Sequence, residues 1–150
     1  LRANLIAALE TAQQVSSLKG FWLPFAERSK QHQSSFRRLL EGLSDKNRKV
    51  VGIGASTKGN VLLQAAGIDS QLLPVIAEIN PDKFNAFTPG SRIPIVSEAD
   101  VEATGPADVA VVLPWHFKES FLTSQSSRKL AQNLLFPLPR FETTSTAIPL

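Results

Sequence analysis

The residues best equipped for chemistry sit together at Gly54-Ala55-Ser56-Thr57-Lys58-Gly59-Asn60. Two hydroxyls, an ammonium and an amide lie between two glycines. Such a loop suits an anion. Glycine lets the backbone approach a ligand closely, and N–H groups at a helix start are unpaired and partly positive. The plain alternative is a tight strand-to-helix turn that binds nothing, because Gly, Ser and Asn also build turns. Spacing excludes two common fingerprints. Gly52-x-Gly54-x-x-Gly needs glycine at position 57, where Thr57 stands, and the third glycine arrives late at Gly59. A Walker A loop needs lysine after Gly59, but Asn60 follows it and Lys58 precedes it.

Other candidates lie downstream. Glu78 ends an apolar run, where an acidic residue can accept from ribose hydroxyls; a solvated strand end is the alternative. Pro89-Gly90 sits in a loop that can cross the same crevice. Trp115-His116 follows another apolar run and can stack on, or hydrogen-bond to, a base or sugar. The alternative there is a helix-start cluster packing on its own sheet. His32 and His116 lie far apart and offer no metal-ligand spacing. Cysteine is absent, which excludes disulfides, thiol catalysis and Cys-type zinc sites. There is no Ser-His-Asp arrangement and no paired carboxylate site. The residues read as a binding domain without a catalytic set.

Positioning this loop requires a strand before it and a helix after it. Lys49–Ile53 is a short apolar run, the mark of a buried parallel strand. Lys58–Ala66 has helical spacing, with Gly67 as a stop. Leu72–Ile79 reads as the second strand, followed by a turn or short helix at Asn80-Pro81-Asp82. Ile93–Val96 reads as a short strand or edge segment. Ser97 is a candidate N-cap for Glu98–Ala103. Asp108–Leu113 is the third core strand, Phe117–Asn133 is helical, and Leu134–Pro137 closes the sheet. Two helices lead in. One covers Leu1–Leu18 with Leu5, Ile6, Leu9, Ala12 and Leu18. Gly20 interrupts, and Pro24 opens a second from about Leu23 to Leu43, with Phe25, Phe36, Leu39, Leu40 and Leu43 as its apolar stripe. The expectation is α/β: a Rossmann-like three-layer domain with a mostly parallel sheet, preceded by two helices. Residues 1–45 form the helical lead-in, 46–140 the α/β domain and 141–150 a tail.

The bulk properties fit. The 150 residues suffice for one domain with its own core, and 43% apolar content is ordinary. The net charge of +3 is spread along the chain, which suits an anionic ligand and does not point to nucleic acid. No apolar run approaches a membrane span. With no cysteine chemistry, the cytoplasm is the default compartment. The start at Leu1 inside a helix-like segment suggests the C-terminal part of something larger.

Four spaced motifs then carry a resemblance. They are Gly52–Asn60, Glu78-Ile-Asn-Pro-Asp-Lys-Phe84, Phe87-Thr-Pro-Gly-Ser-Arg-Ile-Pro-Ile95 and Val112-Leu-Pro-Trp-His-Phe117. Over about Lys49–Pro139 the chain resembles the C-terminal domain of the S-adenosylmethionine-dependent sugar C-methyltransferases. That family methylates a carbon of a nucleotide-linked deoxysugar. Its zinc-binding region, its methyl-donor site and its catalytic His and Tyr residues belong to upstream domains. The resemblance implies that this chain holds no catalytic residue, that S-adenosylmethionine binds outside it, and that its partners are a nucleotide-linked sugar and the upstream methyltransferase domain of the same polypeptide. Substrate-binding roles pass to Gly54, Ala55, Ser56, Thr57, Lys58, Gly59 and Asn60, with Glu78, Pro89, Gly90, Trp115 and His116 beside them. One departure is Asn85, where many members have glycine; Asn tolerates left-handed geometry. Two other readings stay open. One is a stand-alone Rossmann-like nucleotide-binding or regulatory module, the other an NAD-dependent oxidoreductase.

Overall fold

A computed structural model describes residues 13–146 and residue 148. The chain divides into two units, residues 1–34 and 35–150. Of the first expected helix, Leu1–Leu18, the part over residues 1–12 lies outside the described residues. Helix α1 spans Gln13–Asp45 without a break. The expected separation at Gly20 and Pro24 is therefore corrected. Pro24 forfeits one backbone N–H bond and Gly20 costs about 1 kcal/mol, and the long helix on either side absorbs both. The expected apolar stripe also shortens. Phe36, Leu40 and Leu43 are buried and Leu39 packs beside them, but Phe25 is half exposed.

The second unit is a seven-stranded sheet: β1 (Val50–Ile53), β2 (Ile76–Glu78), β3 (Ala86–Phe87), β4 (Pro94–Ser97), β5 (Ala107–Val112), β6 (Ala131–Phe136) and β7 (Glu142–Thr143). Their order is β3-β4-β2-β1-β5-β6-β7. The five central strands are parallel, and β3 and β7 add antiparallel at the two ends. Strand alternation sends Val50, Val109, Val111 and Leu135 into the core beneath α1 and α2 (Thr57–Ala65). Val51, Ile53, Ala110, Val112 and Phe136 fill the other face, against α3 (Glu98–Ala103) and α5 (Gln125–Leu130). Both faces are covered, which is why these strands read as continuous apolar runs. The architecture is α/β, Rossmann-like and three-layered, as expected.

Several boundaries moved for physical reasons. Only Ile76–Glu78 of the expected second strand pairs, since Pro74 has no N–H for the ladder. Ile93–Val96 does contribute a strand, but β3 covers it, so β4 is internal and not an edge. The expected helix Phe117–Asn133 is corrected to a 3-10 turn at Trp115–Phe117, α4 (Lys118–Thr123) and α5. Ser124 is extended, with φ −69° and ψ 131°, and caps α5. Ala131–Asn133 is strand, held by pairing to Ala107–Val109. Residues 141–143, expected in the tail, instead enter the domain: Phe141 packs 6.0 Å from the Phe36 ring, and β7 pairs with β6. Ser97 caps α3 with a reciprocal capping box to Asp100. Asn85 is left-handed at φ 60°, the geometry anticipated for it.

Leu40 is fully buried under the sheet. Leu40→Ala is expected to lower unfolding free energy by about 2–5 kcal/mol in denaturant titration. A loss under roughly 1 kcal/mol would show that α1 does not seal this core.

Candidate functional site

The loop Gly54–Asn60 leaves the carboxyl end of β1, the central strand from which the chain order runs outward both ways. In open α/β sheets that switch point is where ligands bind. Two glycines fix the loop's path. Gly54 has φ 78°, and a Cβ there would meet Pro114 at 2.8 Å. A Cβ on Gly59 would lie 2.5 Å from Leu113 Cβ, so only glycine lets α2 seat against the end of β5. Ser56 is the N-cap of α2, and its hydroxyl accepts from the Gly59 N–H at 3.0 Å. Thr57 and Lys58 are exposed first-turn residues. Their N–H groups have no carbonyl one turn behind them. Asn60 accepts from the Ser91 hydroxyl at 3.4 Å, which ties α2 to the Pro89-Gly90 loop. Gly90 itself abuts Gln64 of α2.

Glu78 sits beside this loop, only 6% exposed. Its Oε2 accepts from the Ala55 N–H at 2.9 Å and the Lys83 ammonium at 3.0 Å. Its Oε1 accepts from the N–H groups of Ile79 at 2.9 Å and Asn80 at 3.1 Å. A carboxylate has about four acceptor sites, and all four are used within the chain. Lys83 completes the clamp by donating to the Ala55 carbonyl at 3.1 Å. Burial pushes the carboxyl's pKa up, but the Asn80 N–H, Lys83 and the Ile79 N–H outweigh it, and the pKa falls below its ordinary value. The ribose-accepting role expected for Glu78 therefore meets a carboxylate already engaged in organising the loop.

A cleft of about 280 Å³ opens at the carboxyl ends of β1, β2 and β5. Of the anticipated residues, Gly54, Ser56 and Glu78 line it. Ala55, Thr57, Lys58, Gly59 and Asn60 belong to the adjoining loop and helix start. Trp115 turns away and packs on the core beneath α1 and α2. His116 is exposed, its ring 4.3 Å from that of Phe117. The cleft adds residues not anticipated from sequence: Ile79, Lys83, Glu98, Pro114, Phe117 and Phe121. Lys83 and Phe117 lie inside the quoted motifs, next to residues singled out there. Phe121 and Glu98 carried no sequence signal, since only the sheet order brings α3 and α4 to one edge.

A second cleft of about 270 Å³ lies at the amino ends of the strands, around Leu43, Lys46, Arg48, Asp108 and Asn133. Asp108 is the hub of its polar groups. Asp108 accepts from the Lys49 N–H at 2.8 Å and from Arg48 at 3.0 Å, which lowers its pKa. Asn133 donates to the Asp108 carbonyl. This is the sheet end away from the usual ligand crevice. No group of three or more metal-ligating side chains occurs among the described residues. No helix among them is long and apolar enough to cross a membrane.

Glu78→Gln tests the clamp. It leaves donors unmatched in a buried place, so stability at pH 7 is expected to fall by roughly 1–3 kcal/mol. The folded-state pKa is lowered, so the native carboxylate stabilises at neutral pH and loses that advantage as pH falls below about 5. The gap between wild type and variant, read from urea titrations, is thus expected to shrink toward pH 3. A gap of constant size from pH 7 to 3 would contradict the ionic clamp.

Residues 2–139 match the C-methyltransferase C-terminal domain family. The chain is also similar to the C-methyltransferase NovU of Streptomyces niveus, at 31% identity over 101 residues, which cover 67% of this chain and 24% of that protein. It thus spans about a quarter of the length of the curated relative it matches. The family match over nearly the whole chain and this identity together make the chain a member of the C-methyltransferase C-terminal domain family.

Proposed function

We propose that this chain binds the nucleotide-linked sugar substrate of an S-adenosylmethionine-dependent C-methyltransferase, while methyl transfer occurs in an upstream domain of the same polypeptide. The observation that carries this reading is the union of an anion-ready loop and a mostly apolar cleft at one sheet edge. The first-turn N–H groups of Thr57 and Lys58, with the exposed Lys58 ammonium, suit a diphosphate. The cleft beside them suits an organic group joined to it. Glu78 is saturated by Ala55, Ile79, Asn80 and Lys83, so its part is to hold the loop in shape and not to accept from a ligand's ribose. The chain's own contribution is to bind the substrate and fix its orientation, the part of catalysis that comes from holding reactants in place.

The expected result is a rise in melting temperature with nucleotide-diphosphate sugars and no methyl transfer by the chain alone. Lys58→Ala is expected to weaken that binding roughly tenfold by isothermal titration, as loss of one charge-assisted contact. Absence of binding at millimolar nucleotide-sugar, or turnover by the chain itself, would refute the assignment.

A further inference from the structure

The cleft at the amino ends of the strands has an apolar floor. Leu43 of α1, Val109 of β5 and Ile148 of the tail line it, are buried, and belong to one core cluster. Its polar lining comes from two other places. Lys46 and Arg48 lie in the turn between α1 and β1, and Gln132 and Asn133 open β6. Asn133 pairs in register with Val109, so both belong to the same sheet end.

Part of this lining is held in place. Asp108 accepts from Arg48 on Oδ1 at 3.0 Å and from the Lys49 N–H on Oδ2 at 2.8 Å. The guanidinium is thereby oriented, while most of its donor fork stays unspent. Asn133 donates to the Asp108 carbonyl at 3.0 Å, which fixes its amide. The Lys46 ammonium and the Gln132 amide have no partner among the described residues. With Asp108 set against Arg48, one net positive charge remains over the floor. Unspent donors beside buried apolar side chains, in a concave space of about 270 Å³, are the makings of a ligand site.

We infer that this cleft is a second ligand site, for a small organic anion. A single carboxylate or phosphate ester lies against Lys46 and Arg48, and a short branched apolar body lies on Leu43, Val109 and Ile148. The site stands independently of the nucleotide-sugar reading, which concerns the opposite end of the sheet. A neutral apolar molecule would leave the two cations unmatched, and bare phosphate would leave the floor uncovered. The volume is at the low end for ligand pockets, which suits one small acid and not a nucleotide. Asp108 opposes the anion little, because each of its oxygens already has a donor.

Carboxylic acids and phosphate esters share this chemistry, and titration separates them. The full chain, labelled at isoleucine methyls with Ile148 assigned by Ile148→Val, is titrated with isocaproate, isoamyl phosphate, isoamyl alcohol and inorganic phosphate. The expected result is a saturable shift of the Ile148 methyl with the two isoalkyl anions. Binding of the alcohol and of inorganic phosphate is expected to be at least roughly tenfold weaker. Saturation by only one of the two anions supports the site and fixes its anion class. Lys46 is exposed, so Lys46→Glu is compatible with folding; it is expected to weaken anion binding roughly tenfold. Arg128→Glu makes the same charge reversal on α5, which packs on the other face of the sheet, and is expected to leave binding unchanged. An unmoved Ile148 methyl with all four probes overturns the site. So does alcohol or inorganic phosphate binding as tightly as the isoalkyl anions, or an equal loss in the two charge-reversal variants.

Discussion

The carboxylate of Glu78 organises the edge of the sheet on which the site depends. It ends β2, yet its hydrogen bonds reach the turn after β1 and the 3-10 turn at Pro81–Lys83. Backbone N–H groups must find partners when they are withdrawn from water. Here one side chain serves three of them, and Lys83 serves the Ala55 carbonyl. The loop can therefore leave the sheet without the regular ladder and still hold a defined path. A buried charge is tolerated because every acceptor site on it is filled.

Close packing finishes what the clamp begins. Gly54 lies against Pro114, and Gly59 lies against Leu113, both at the exit of β5. The start of α2 is thus drawn onto the neighbouring strand end, and its free N–H groups sit beside the cleft. The loop's two glycines are spaced for this contact with β5. The usual dinucleotide spacing answers a different need, close backbone approach to a pyrophosphate at the second glycine.

The fold was legible because its signals are local. Val50–Ile53 and Ala107–Val112 are uninterrupted apolar runs, and Ser97 with Asp100 is a cap that needs no tertiary context. What misled was of two kinds. Gly20 and Pro24 are strong punctuation, yet a long helix carries through them. Ala131–Asn133 continues a helical pattern, and only pairing with β5 converts it to strand. The site divides the same way. The loop was visible as a run of donors, but the engagement of Glu78 depends on Lys83 and on turn geometry. Phe121 and Glu98 reach the cleft only through the order of strands, which no local pattern encodes.

The two short antiparallel strands, β3 and β7, play a different part from the strands they flank. Each contributes only two residues and runs against its neighbour. Parallel strands rich in Val, Ile and Leu would be adhesive if left as open margins, inviting pairing with any extended chain nearby. A two-residue antiparallel border offers too few unpaired backbone groups to template such growth. The margins are thereby blunted against amyloid-like extension, which matters most while the chain is newly made and crowded by other segments.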